Sequence, residues 1–238
     1  MAFGDFIQAA TAIDTTGTSA TIGGAGFTSN VTAANFLILG TRWGAASDDL
    51  TSVASDSTPA TFTVAKKQLE TTDGNYGYIH HGVNQTGGVK PTLTISFSAS
   101  QSIRAILCEY AGSSNTHVDT AIASTVGTST APSSGVTPTR TDATELQIGF
   151  ALTGSVVTWT AGSGFTLRST QPGSKAALED VLRTSTGTQT ADFSLSASAD
   201  WAALTACYSD AVTDTQEWMP RMAEARRHSS TKNIGYSL

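Results

Sequence analysis

The chain has 238 residues, of which 39% are hydrophobic, and its mean hydropathy is −0.06. That suffices for one substantial core and lies within the size at which a β-sandwich or barrel is still a single domain. Only 13% of the residues are charged, while 39 Thr and 28 Ser furnish the exterior, which excludes a coiled coil or helical bundle with Glu- and Lys-rich faces. A net charge of −6 and a pI near 5.0 provide no positive field for phosphate backbones, and no Lys/Arg cluster interleaves with aromatics, so no nucleic-acid partner is expected.

The start, Met1-Ala2-Phe3-Gly4-Asp5-Phe6, lacks a basic segment followed by an apolar run of signal-peptide length, and no 18-residue apolar run occurs in the chain. Neither secretion nor a membrane partner is therefore expected. Strands are predicted over residues 6–14 and 19–22. Gly23-Gly24-Ala25-Gly26 then leads into Phe27 and Thr28 rather than into a helix, so it is no dinucleotide loop. Residues 36–43 (FLILGTRW) are apolar on both faces at their start, as in a central covered strand. Strands follow over 62–68 and 76–82. In residues 92–98, Leu93, Ile95 and Phe97 alternate with hydroxyls, the pattern of a half-buried strand.

Further strands are predicted over 103–110, 145–152, 164–168, 177–183, 192–198 and 201–208. Turn residues at Asp73-Gly74-Asn75, Gly87-Gly88, Gly112 to Asn115 and Gly162-Ser163-Gly164 separate several of them. The Ser/Thr/Pro stretch 124–144 reads as a long loop within one domain. Residues 177–183 have helix propensity too, but 184–190 cannot cap and continue a helix. Short strands at this spacing predict an all-β, antiparallel two-sheet sandwich of jelly-roll type over residues 1–212, with the N-terminal strands of 1–34 at its periphery. Trp201, Phe193, Phe150 and Phe97 are expected to fill the space between the sheets. Residues 213–238 form a C-terminal arm.

The chemistry-bearing residues are sparse. His80-His81 would point to opposite faces of a strand and cannot share an ion, and no ligand partners stand at metal-binding spacing. Asp48-Asp49 and Glu179-Asp180 face the same difficulty as glycosidase pairs and read as solvated loop acids. Asp48-Asp49 or Asp73-Gly74-Asn75 could hold calcium only weakly. Ser163 is in a turn that feeds a strand, not in a nucleophile elbow. Asn30 and Asn84 head glycosylation sequons that carry no weight without a secretory signal. Cys108 and Cys207 sit in apolar runs and read as small buried hydrophobes, consistent with a reducing compartment. Trp43 and Trp201 read as core, whereas Trp159, beside a glycine turn, is the ring best placed to contact a glycan. No cofactor and no enzymatic activity are expected.

In the arm, Asp214-Thr215-Gln216-Glu217 has capping-box spacing, and Trp218, Met222 and Ala225 make an apolar stripe on a short helix, with Pro220 tolerated only in its first turn. The arm carries a net +1 against −7 for the rest of the chain. Trp218 and Met222 are expected to dock on a neighbouring subunit, with Arg226 and Arg227 meeting acidic surface.

The order of residues 36–43, 91–98 (PTLTISFS), 108–112 (CEYAG), 160–168 (TAGSGFTLR), 177–180 (ALED) and 198–204 (SADWAAL) resembles a β-sandwich module. Such modules recur in virion proteins of tailed phages and in bacterial surface-associated proteins, and the resemblance spans about residues 35–210. It implies a structural or adhesive setting and no catalytic residues. With the charged arm and no signal peptide, it favours a virion protein assembled in the host cytoplasm, most concretely a capsid decoration or cement protein. Its partners would then be the major capsid protein or tail proteins and copies of itself. A tail or head-fibre component and a carbohydrate-binding adhesin module are the alternatives.

Overall fold

The computed structural model describes residues 1–44, 47–59, 61–140, 142–171 and 173–210. Among these residues thirteen strands are joined by turns and loops: β1 (Phe6–Gly23), β2 (Phe36–Gly44), β3 (Leu50–Ser55), β4 (Thr63–Glu70), β5 (Asn75–Gly82), β6 (Thr92–Tyr110), β7 (His117–Ser129), β8 (Glu145–Thr153), β9 (Trp159–Ala161), β10 (Thr166–Thr170), β11 (Ala176–Arg183), β12 (Phe193–Leu195) and β13 (Ala199–Ser209). Two large antiparallel sheets pack together. One runs β1-β6-β2-β5-β4, with β3 paired to the first part of β6; the other runs β10-β11-β8-β13-β7, and β9 and β12 form a small third ribbon.

The expected strand over residues 177–183 forms as β11 in place of a helix. Residues 92–98 and 103–110 are one long strand, and 6–14 joins 19–22 in β1. The loop expected over 124–144 is a strand as far as Ser129. Beyond it the backbone bonds to the 187–195 segment: Ser134 N–H donates to Ala191 O at 2.8 Å and Phe193 N–H to Pro132 O at 2.8 Å. Residues 1–34 are integral. Although β1 stands at a sheet edge, it pairs with β6 from Phe6 to Gly23, and Phe27 and Val31 are buried.

Apolar residues occupy three layers. Phe36, Ile38, Ile106, Leu146, Phe150 and Leu204, with their neighbours, fill the space between the sheets. A second cluster, including Trp43, Ile95 and Phe97, covers the outer face of the first sheet, and a third, with Trp159, Phe193 and Trp201, the outer face of the second. Of the four aromatics expected between the sheets, only Phe150 is there. Both sheets are covered on both faces, so alternation alone could not say which apolar side of a strand faces the partner sheet.

Strands β1 to β6 build one sheet and β7 to β13 the other and its flap, so among the described residues the chain crosses between the large sheets once, at residues 111–116. Successive strands of a jelly roll mostly alternate between its two sheets, which these do not.

The two halves instead repeat one plan. Taking β1, β2, β4, β5 and β6 as equivalents of β7, β8, β10, β11 and β13, both sheets have the same strand order. The registers agree in detail. Phe36 faces Tyr110 in β2/β6 as Leu146 faces Tyr208 in β8/β13, and the β4/β5 irregularity at Ala65 recurs in β10/β11 at Arg168. The outer flap repeats as well: Leu50 pairs with Phe97 as Trp159 pairs with Leu195. The strand β4 lies against β7 and β13, and β10 against β1 and β6, which relates the halves by an approximate two-fold axis between the sheets. Residues 96–100 (SFSAS) and 194–198 (SLSAS), followed by Tyr110 and Tyr208, are the sequence trace of the repeat.

Candidate functional site

Where the inter-sheet space opens at one end, a cleft of about 810 Å³ lies between the β4–β5 turn, the ends of β2 and β8, and the start of β11. Its lining includes Arg42, Asp73, Asn75, Ser102, Ser155 and Lys175. Local bonding fixes the turn. The buried Glu70 carboxylate accepts from the Asp73 N–H at 2.9 Å, from the Thr72 N–H at 2.5 Å and from Asn75 Nδ2 at 3.3 Å, while Gly74 supplies the positive φ of 66°. A Cβ on Gly154 would stand 2.7 Å from Asp73 Cγ, so the glycine lets the end of β8 approach that carboxylate.

The cleft is electrostatically unusual. The Arg42 side chain points into the inter-sheet space and is only 5% exposed; it donates from Nη2 to Asn75 Oδ1, and its Nε has no acceptor among the described residues. Burial, and then the charge of Arg104, lower Arg42 to about 10, while Asp73 and Glu70 oppose the shift. Lys175 is lowered too, first by burial and then by Arg42 and Arg104. Three cations therefore crowd one end of the core, with Asp73 as the open counter-charge. In the sequence Asp73-Gly74-Asn75 shows only as a turn and weak calcium loop, and the lone Arg in the apolar run 36–43 is the signal that points to the cleft.

The histidines are separated as expected. His80 stacks on Tyr78 on the outer face of the first sheet, with centroids 5.2 Å apart, and His81 meets the edge of Tyr208 between the sheets. Burial holds both rings neutral, lowering His80 to about 3, with the charge of His81 adding to the effect, and His81 to about 4. His80 lines a groove of about 390 Å³ between β3 and β4, along with Tyr78 and Phe62. Among the described residues no three metal-binding side chains converge.

Of the acids expected as solvated loop residues, Asp48 is exposed and Asp49 half-buried in a loop, whereas Glu179 and Asp180 are buried. Asp48 accepts from Tyr78 Oη at 2.6 Å and pairs with Lys67 at 3.1 Å, and Asp49 accepts from Gln101 Nε2 at 2.5 Å. Glu179 and Asp180 are buried strand residues on opposite faces of β11. Asp180 accepts from Arg168 Nε at 2.7 Å. Glu179 accepts from the Gly162 N–H at 2.9 Å, and burial raises its carboxyl to about 8. Under the two-fold, Glu179 corresponds to His80 and Asp180 to His81.

Trp159 is 4% exposed. Its Nε1 donates to Ser174 O at 3.0 Å and its ring packs edge-on with Phe193, so no open face is left for a glycan. Cys108 and Cys207 are buried and unbridged. Cys207 shares a polar pocket with Glu145, whose carboxyl burial raises to about 7, and with the buried Arg140, whose Nη1 is 3.9 Å from Glu145 Oε2. Trp218, Met222, Arg226 and Arg227 lie outside the described residues. No helix in the described residues is long and apolar enough to cross a membrane. Comparison with protein-family models, curated proteins and solved structures finds no match to the chain.

Proposed function

We propose that the protein is a non-enzymatic structural protein of a tailed-phage virion, most concretely a capsid decoration or cement protein, with a tail or head-fibre position as the alternative. The observation that carries this reading is the enclosure, among the described residues, of several groups suited to acid–base or nucleophilic work. His80, Glu145, Glu179, Cys108 and Cys207 are each at most 1% exposed, and each is displaced towards its neutral form. Groups so enclosed serve the fold rather than a substrate. A hydroxyl-rich exterior over two sheets buried on both faces suits a rigid particle component. The resemblance of residues 35–210 to virion modules supplies the setting.

In this reading the partners are the major capsid protein or tail proteins and further copies of the chain. Attachment runs through the arm of residues 213–238, a short helix offering Trp218 and Met222 to a neighbour and Arg226 and Arg227 to its acidic surface. The test is co-sedimentation of the purified full chain, and of a chain lacking 213–238, with particles of the encoding phage. The full chain is expected to sediment and the shortened one to stay folded but free. Equal occupancy of both removes the arm as the attachment device, and a full chain that never sediments with heads or tails overturns the virion assignment.

A further inference from the structure

The two-fold repeat provides an internal control for the cleft. Register places Arg42 of β2 where the other half has Leu152, and Arg104 of β6 where it has Ala202, both buried in the inter-sheet cluster. The fold is therefore satisfied by apolar side chains at these positions, and the charges answer to something else. They also stand in an unfavourable relation. Arg42 and Arg104 are directly opposite in the β2/β6 ladder, a like-charge pairing that destabilises a sheet, and Lys175 closes on them from the other sheet. A half that places cations where its twin places core marks the kind of local inconsistency that functional sites show.

We propose that this cleft binds an acidic saccharide, its carboxylate held by Arg42 and Lys175 and its hydroxyls by Asp73 and the rim hydroxyls of Ser102 and Ser155. Each part of the ligand is read from the lining. A carboxylate relieves the crowding of like charges and gives the unpartnered Arg42 Nε an acceptor, forming the charge-assisted bonds for which guanidinium is suited. A volume of about 810 Å³ is far more than an inorganic anion fills and within the range of sites for small organic ligands. The Asp73 carboxylate repels a bare anion but accepts hydroxyls from a polyol.

The proposal does not depend on the virion reading, and its test uses the isolated full-length protein. Calorimetry and ligand-observed NMR compare a glucuronate oligosaccharide, the matching neutral glucose oligosaccharide and inorganic sulfate. The uronate is expected to bind at least about tenfold more tightly than either control. Lys175→Glu is expected to abolish that binding, while Lys67→Ala, on the outer face of the first sheet, leaves it unchanged. The discriminating variant is Arg42→Leu, which copies the other half: it is expected to lose the ligand and yet resist denaturant better than the parent, since a buried like charge has gone. Absence of uronate binding at millimolar concentration, sulfate binding of equal strength, binding that survives Lys175→Glu, or an Arg42→Leu protein less stable than the parent each overturns the proposal.

Discussion

Gly40 lies in the middle of β2, directly under the ring of Phe150 from the opposite sheet. A Cβ built on Gly40 would come within 2.5 Å of Phe150 Cε2 and 3.1 Å of Cγ, against an ordinary separation of at least 3.4 Å. The ring would have to retreat by about 1 Å, and it has no free volume to enter because Phe150 is fully buried in the inter-sheet cluster. Gly40→Ala is therefore expected to cost about 1–3 kcal/mol through overpacking. The loss of unfolded-chain entropy that alanine brings offsets part of this, about 0.4–1 kcal/mol. Removing the ring relieves the clash, so Phe150→Ala, itself destabilising, should couple to Gly40→Ala by about 0.5–3 kcal/mol in the favourable direction. Urea denaturation of the parent, the two single variants and the double variant measures that coupling. Additivity within about 0.5 kcal/mol would refute the proposed sheet-to-sheet contact at this point.

Glu179, raised to about 8 from an ordinary 4.5, is bound neutral in the native state, so its contribution to stability is complete at low pH and is lost as the pH climbs from about 4.5 through 8. Within that window it makes stability fall by up to about 1.4 kcal/mol per pH unit; Glu179→Gln should flatten the curve and exceed the parent above pH 8, and parallel curves would contradict this. Glu145, raised to about 7, leaves a shallower fall of the same sign in that variant. Burial pushes Cys207 up to about 12 and Cys108 above the usual thiol range, so titration of the native protein with an aromatic disulfide should find both thiols slow and unfolding should release them; rapid native labelling of either would place it at the surface. Trp159→Ala should cost about 3–5 kcal/mol in chemical denaturation as a core truncation, and a negligible cost would return that ring to the surface.

Period-two patterning was enough for the strands that carry alternating large side chains, such as residues 92–98 and 145–152, because one face of each must be apolar. It failed where the apolar face is made of small residues. Strand β7 is an edge strand of Thr, Ser and Ala, and its second half reads as the start of a polar loop until Ser129 is seen paired to Ala199. The long β6 reads as two strands because Ser98 to Ser102 has no large apolar residue, although the strand is continuous there and Gln101 pairs with Gly17 of β1. The repeat was hidden for a different reason. Equivalent residues lie 110 positions apart in β2 and β8 (Phe36, Leu146) but 98 apart in β6 and β13 (Tyr110, Tyr208), since loops of different length intervene. No single period aligns the halves. Arg42 was visible as an oddity in an apolar run, but that it meets Lys175 is a fact of the other sheet's position.

The single crossing at residues 111–116 has a consequence for association. Each half presents an inner face that fits a similarly built partner, and only a six-residue tether decides that the partner belongs to the same chain. Two molecules that open at the tether can close on each other, first half to second half, and regain every contact between the large sheets without creating a new surface. Such an exchanged dimer differs from two monomers chiefly in the path of the tether and in lost translational freedom, so its population is governed by concentration and by how the tether tolerates extension. Shortening or stiffening residues 111–116 would shift the balance towards exchange, and lengthening them would favour the closed single chain.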